Sequence, residues 1–414
     1  MDYILRKVVL DLFDNTNVTT DASVGNDLSP EMKTYYSTYL IRLAEPLLVH
    51  DQFGQKHPIP KNGGKTIEFR KYDSLPKALT PLTEGVTPSG QNLNVSTVTA
   101  TIAQYGGYVE LSDLLMLTAI DNNLMEATRL IADQAGRTLD TITREVLVGG
   151  TNVQYAAGSR TTRTNLVGGE ASGNDYLTVD CIRRAVRTLK VQNAKRINGY
   201  YVAIIHPDVS YDLVNDPKWE AVKDYDPSDW YEGEIGRIAG VRFVETTEAK
   251  VFASDDLASD SRNIAVNGAV SNSKTVNFDG GTVANNALKG RKVQFYDATN
   301  GWQVGEVASN TTSALTMKDN ITLADNAVIY PGEAGKGGRT VYATLVIAAD
   351  AYGVTEVEGG GLQHIVKQLG SAGTADPLNQ RATVGWKATK TAERLVEQYM
   401  VRIETTSTFE SVAS

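Results

Sequence analysis

The chain has 414 residues, 41 % of them apolar and 21 % charged, a length that implies two or three domains rather than one core. A formal net charge of −9 argues against tight nucleic-acid binding, which needs a basic footprint, but leaves room for a protein that encloses DNA and touches it weakly. No apolar run approaches bilayer-spanning length, and a single cysteine, Cys181, excludes an intramolecular disulfide framework and points to synthesis in a reducing cytoplasm.

At the N-terminus Ile4, Leu5, Val8, Val9, Leu12 and Phe13 fall at helical spacing, while Arg6, Lys7 and Asp11 interrupt the apolar residues and exclude a signal peptide. A terminal amphipathic helix needs a surface to lie on, and a neighbouring subunit is the natural one. Ser29-Pro30 caps a second helix that stops near Pro46. Residues 66–72 (TIEFRKY) alternate as a strand, and residues 93–109 form a longer strand pattern whose apolar phase shifts near Ser96 and Thr97, which predicts a bulge or bend there. Between them, residues 74–90 hold three prolines and two glycines without apolar periodicity. Such a hairpin would reach roughly 50 Å, and neither strand has enough apolar residues for a core of its own. A connection this long makes sense if it packs on another copy of the protein.

Ser112 and Asp121 are candidate caps for a long helix carrying Leu124, Thr128, Ile131, Ala135, Leu139, Ile142 and Val146 at helical spacing; Gly149-Gly150 ends it after roughly 40 Å. From Thr178 helix and strand alternate: 179–190, then GYYVAIIHP, then VSYDLVND, an α/β layer arrangement. Residues 255–340 are rich in Asn, Thr, Gly and Asp, with short strand patterns at VQFYD, WQVGEV, ALTM and AVIY, so a small all-β module is expected before the α/β pattern resumes at Val341. Glu397–Thr406 reads as a strand with one polar face.

Signs of chemistry are few. In GEAGKGGRT the glycine spacing is wrong for a phosphate loop and no Ser or Thr follows Lys336, so it reads as a flexible turn. The acidic stretch 224–230 puts Asp229 where a calcium loop needs glycine and Ile235 where it needs glutamate. His50, His57, His206 and His364 lack metal-ligand spacing, and Cys181 has no second thiol. His206-Pro207-Asp208 reads as a strand end and helix cap, and Gly359-Gly360-Gly361 as a backbone hinge; no nucleophile elbow is present. The expectation is therefore a non-enzyme: no catalytic residues, no cofactor and no metal site.

Three segments carry a resemblance: LSPEMKTYY with LIRLAEPLLVHDQFGQKHPIPKNGGKTIEFRKY, EGEIGRIAGVRFVET (232–246), and SAGTADPLNQRATVGWKATKTAERLVEQYMVRIE (371–404). In their order they resemble the major capsid proteins of tailed double-stranded-DNA phages, in the family of the coliphage N-four coat protein. The resemblance implies an α+β chain of the Hong Kong 97 fold with an inserted small all-β domain. Its parts would be an N-terminal arm (1–50), an extended hairpin loop (51–110), a spine helix with peripheral domain (111–178), an axial domain in two pieces (179–254 and 341–370) around the insertion (255–340), and a return to the peripheral domain (371–414). The implied function is self-assembly into the pentamers and hexamers of an icosahedral head in the virion, the protein being made in the bacterial host cytoplasm. The implied partners are further copies of itself, portal and scaffolding proteins, a decoration protein as a further candidate, and weakly contacted packaged DNA, with no membrane. Some relatives weld their shells through lysine–asparagine bonds; Lys61, Lys65, Lys71 and Lys77 in the hairpin read as ordinary surface residues instead. An encapsulin-like compartment would share the fold. A β-rich adhesin would make the insertion the working part but would explain neither hairpin nor spine helix.

Overall fold

The structure, a computed structural model, describes residues 49–409 apart from 61–63, 73–74, 76, 80, 83, 88–89, 119–122, 157–159, 170–172, 220–236, 356–360, 370 and 372–377. The two helices expected before residue 47, the acidic stretch 224–230, and Gly359 and Gly360 of the expected hinge lie outside the described residues.

After β1 (Gln55–Lys56), β2 (Thr66–Tyr72) and β3 (Val95–Thr101) pair antiparallel over seven residues without a shift in register. The bulge or bend expected near Ser96 and Thr97 is therefore not at those residues. The chain breaks instead at Ile102, whose N–H donates to the Lys65 carbonyl at 2.8 Å, and β4 (Ala103–Ser112) continues beyond it. The phase change in the sequence marks a change of partner: β3 belongs to the hairpin, β4 to a different sheet. The regular part of the hairpin is correspondingly about 23 Å long, shorter than its sequence span suggests.

Ser112 Oγ accepts the Leu115 N–H at 3.3 Å and caps the short α1 (Asp113–Thr118), not the long helix. That helix is α2 (Asn123–Val148), and its buried stripe runs through Ala127, Ile131, Ala135 and Leu139 to Leu147. Ile142 and Val146, expected inside, are only half-buried. Over the last turns the stripe rotates onto Asp140, Thr143 and Arg144, all buried.

There follow β5 (Val153–Tyr155), α3 (Val179–Val191), β6 (Tyr201–Ile205), α4 (Pro207–Val214), β7 (Arg237–Ile238), β8 (Val241–Glu245) and β9 (Val251–Phe252). Next come β10 (Ile264–Val266), β11 (Val270–Asp279), β12 (Lys292–Asp297), β13 (Gly301–Asn310), β14 (Ala314–Leu323) and β15 (Val328–Pro331). The chain closes with β16 (Val341–Ile347), β17 (Tyr352–Thr355), β18 (Gln363–Lys367), β19 (Arg381–Arg394) and β20 (Met400–Thr405).

These strands make three main bodies. A mixed sheet in the order β5-β20-β16-β6-β8-β7, with β9 on β16, is covered on one face by α3 and α4 through Ile182, Leu189, Val209 and Leu213. Its other face meets the end of α2, where Leu147 and Val148 pack on Ile204, Leu345 and Ile347. A long, narrow sheet is organised on β19: its first ten residues pair with β4 on one edge, Thr383–Lys387 pair with β18 on the other, and its last four pair with β17, which in turn holds β1. Ile131, Ala135 and Leu139 of α2 cover one face of this sheet, against Val384, Trp386 and Ala388. Residues 352–355 and 363–367, expected within the α/β part, thus pair with β19, whereas β5 and β20 join the α/β sheet.

The third body is a closed barrel, β10-β11-β14-β13-β12-β15, filled by its own cluster including Phe278, Phe295, Val307, Leu315 and Ile329. Closure leaves no free edge. It is inserted between β9 and β16, which pair with each other at Phe252 and Val341, so the chain leaves and re-enters the α/β sheet at adjacent points. The fold is α+β with an inserted all-β module.

Candidate functional site

His206, Cys181 and the 332–340 turn are each held in the fold by local hydrogen bonds. His206 is the N-cap of α4: its Nδ1 accepts the Asp208 N–H at 3.2 Å, with Pro207 in the first turn. Burial pushes its pKa below the ordinary histidine value against the opposing pull of Asp208 and Glu245, which keeps Nδ1 an unprotonated acceptor at neutral pH. Cys181 is buried and donates to the Ala156 carbonyl at 3.3 Å. The 332–340 turn is packed rather than flexible. Buried Gln294 donates to the Gly335 carbonyl at 2.8 Å and accepts the Gly337 N–H at 3.1 Å, and Gly337 and Gly338 take φ of 68° and 75°, conformations that favour glycine. Among the described residues no group of three or more His, Cys, Asp or Glu side chains is placed to hold a metal ion.

Two buried polar networks were not visible in the sequence. In the first, His50 binds Asp140 of α2 through its backbone N–H (2.8 Å) and Nδ1 (2.6 Å), while Lys390 of β19 donates to Asp51 and to the Leu139 carbonyl, the latter at 2.8 Å. It ties the segment before β1 and the centre of β19 to the spine of the molecule. In the second, Glu404 is fully buried between two arginines: Arg163 donates to it twice (2.8 and 2.7 Å) and Arg402 once (2.8 Å). Arg402 also donates to the Val148 and Gly150 carbonyls, and Arg394 to the Val146 carbonyl, so cations satisfy the C-terminal end of α2. The strand expected at 397–406 with one polar face is thus shorter and enclosed on both sides; its acidic residue looks polar in sequence because its partners lie 241 and two residues upstream.

Among the described residues, exposed large apolar side chains are most concentrated in two places. In the hairpin beyond the β2–β3 pairing, Leu75, Leu79, Leu82, Val86 and Leu93 face solvent, Leu79 at 82 %. Nearer its root the hairpin is held within the chain, where Phe69 lies against Gly353 and edge-on to His57 at 5.6 Å. The second place is the face of the β19 sheet turned away from α2. There Tyr108 (73 % exposed), Gly385 and Ile365 stand side by side across β4, β19 and β18, in one row of the register. Glycines at 106 and 385 keep the middle of that face low, leaving an open groove of about 610 Å³ walled by Tyr108 and Ile365 and rimmed by Glu110, Lys367, Arg381 and Lys387. A Cβ on Gly385 would stand 2.9 Å from that of Tyr108. One end of this face carries α1, whose Leu114 and Leu117 are also exposed. No enzyme cleft is needed to explain such a pattern; unpaired apolar surface of this extent marks a contact surface.

A family model of phage capsid proteins matches residues 95–388, from the far strand of the hairpin into β19. The chain belongs to the phage capsid protein family. This capsid protein has the fold of solved phage shells. The capsid of a Ralstonia phage, GP4, shares 12 % identity over 87 % of this chain and 88 % of that one, with a TM-score of 0.54. The capsid of cyanophage Pam1 shares 12 % identity over 86 % of this chain and 89 % of that one, with a TM-score of 0.53. A search of curated protein sequences gave no match. Family and fold together identify the major, shell-forming protein of a tailed phage, with the Hong Kong 97 architecture that the hairpin, spine helix and paired sheets imply.

Proposed function

We propose that the capsid protein assembles by laying the hairpin of one copy over the β19-sheet groove of the next, around five- and six-fold rings of an icosahedral head. The observation that carries this reading is the pairing of two unsatisfied surfaces of matching kind: an apolar hairpin with no core, and a groove with apolar walls and a charged rim. Contacts of this heterologous type close when the rotation between copies closes. In this reading residues 1–50 are the arm, 51–110 the hairpin, 111–178 and 371–414 the peripheral domain around α2 and β19, and 179–254 with 341–370 the axial domain. Strand pairing suggests refining the last boundary to the end of β16. The protein acts structurally, without catalysis, within the virion after synthesis in the host cytoplasm. Portal and scaffolding proteins are its further partners, with a decoration protein as an additional candidate. Purified protein should form capsomer rings or closed shells by negative-stain microscopy; a monodisperse monomer at high concentration and in crowding agents would sink the reading.

Residues 255–340 form, in the same reading, a separate domain on the outer face of the shell. Its support is the closed barrel with its own core and the adjacent entry and exit strands. Replacing Asp255–Thr340 by a short Gly-Ser linker should leave β9 and β16 paired and permit assembly, because joining two adjacent points costs little closure entropy. The check is circular dichroism followed by electron microscopy; an unfolded product would show that the barrel belongs to the axial core.

A further inference from the structure

Between Arg183 and Arg196 the chain carries six cations and no carboxylate, in a protein of net charge −9. Most buried or half-buried arginines elsewhere meet a carboxylate, as Arg163 and Arg402 do. Here they do not. On α3, Arg183, Arg187 and Lys190 fall at i, i+4 and i+7, one exposed row with steps of about 6 and 4.5 Å along the axis. Arg183 shares Asp180 at 3.6 Å with Lys218, while the side chains of Arg187, Lys190 and Lys195 form no ion pair or hydrogen bond among the described residues. The row borders a shallow groove of about 580 Å³ floored by Val186, Val191 and Ala239. Arg196, stacked on Tyr201 with its guanidinium 5.6 Å from the ring centroid, comes within 3.7 Å of the Cβ position of Gly240 and extends the cationic edge past the helix end. Like charges so spaced destabilise a helix, and only Lys190, in the last turn, gains from the helix dipole. The patch also lies at the end of the sheet opposite the barrel: Tyr201 and Val241 begin their strands beside it, whereas β9 and β16 meet at the far end.

We propose that this face of α3 binds the phosphate backbone of duplex DNA, with Arg183, Arg187, Lys190 and Lys195 each neutralising a phosphate. The inference rests on the capsid reading, since DNA is the polyanion a phage head encloses. A regular row of exposed cations, most of them without a carboxylate partner, suits a repeating charge and reads no sequence. Contact through four residues in an otherwise acidic protein is also weak enough not to hold DNA fast during filling.

The test uses full-length protein and a fluorescein-labelled mixed-sequence duplex, followed by anisotropy across a series of salt concentrations. The triple variant Arg187→Gln, Lys190→Gln, Lys195→Gln should reduce the steepness of log K against log[salt] by about 2.7, at roughly 0.9 per lost phosphate contact. The barrel triple Lys274→Gln, Lys289→Gln, Lys292→Gln should leave the slope unchanged. An unchanged slope in the α3 variant, or an equal drop in the barrel variant, overturns the proposal. So does an α3 variant that binds DNA normally but no longer assembles, which would assign the face to a protein contact such as an acidic stretch of a neighbouring copy. Shell formation by the wild type, scored separately by microscopy, tests the capsid reading; its failure leaves the DNA result to stand or fall alone.

Discussion

Deleting residues 73–92 should yield folded subunits that do not build shells. Tyr72 and Val95 are paired, so the deletion leaves Leu93-Asn94 as a two-residue loop joining β2 to β3, a length that antiparallel strands accept. The hairpin root, held by Phe69 against Gly353, is untouched. Because Leu79, Leu82 and Val86 contact no core, subunit stability should change by no more than about 1 kcal/mol, the range of substitutions away from packed features. Assembly should be abolished, since the deletion removes one of the two surfaces in every proposed contact between neighbours. Sedimentation velocity separates the outcomes: slow species of normal secondary structure are expected, and shells of normal size would refute the role given to the tip.

The second large effect is expected at Glu404. Glu404→Ala should destabilise the subunit by roughly 3 kcal/mol, the lower part of the range for breaking a buried ion pair, because Arg163 retains some solvent access and its guanidinium remains over the Phe252 ring at 3.3 Å. Glu404→Gln should cost less, since the amide oxygen can still accept one guanidinium hydrogen bond. The ordering of the two variants in urea denaturation separates lost charge from lost hydrogen bonding. Equal, small effects would mean that Arg402 is held mainly by the α2 carbonyls.

The sequence made some of this architecture readable and hid the rest for identifiable reasons. The spine helix was legible because one face of α2 carries apolar residues at helical spacing down to Leu139. Its far end was not, because Asp140, Thr143 and Arg144 are buried polar residues whose partners, such as His50, Asp51 and Glu248, come from distant segments. The barrel strands β12 to β15 are legible by their strand patterns, whereas β10 is only three residues long and β11 is rich in Asn and Ser. β19 is the most instructive omission. Ala382, Val384, Trp386 and Ala388 alternate against Arg381, Thr383 and Lys387, a strand signal in plain view that does not by itself reveal β19's three partner strands. The groove on its outer face was beyond reach from sequence alone, since Tyr108, Gly385 and Ile365 meet only through cross-strand register. The resemblance supplied the family; it did not supply the surfaces.

The continuity of β3 into β4 has a mechanical consequence. A pull on the hairpin by a neighbouring subunit runs along the chain through Ile102 into β4, which is joined to β19 by ten consecutive residue pairs. The ladder hydrogen bonds lie across the strands, so that force loads them in shear, all together, instead of unzipping them one by one. In the proposed contact, tension on each hairpin would be spread over the whole length of its own β4–β19 ladder, and the part that yields first should be the short β2–β3 arm outside it.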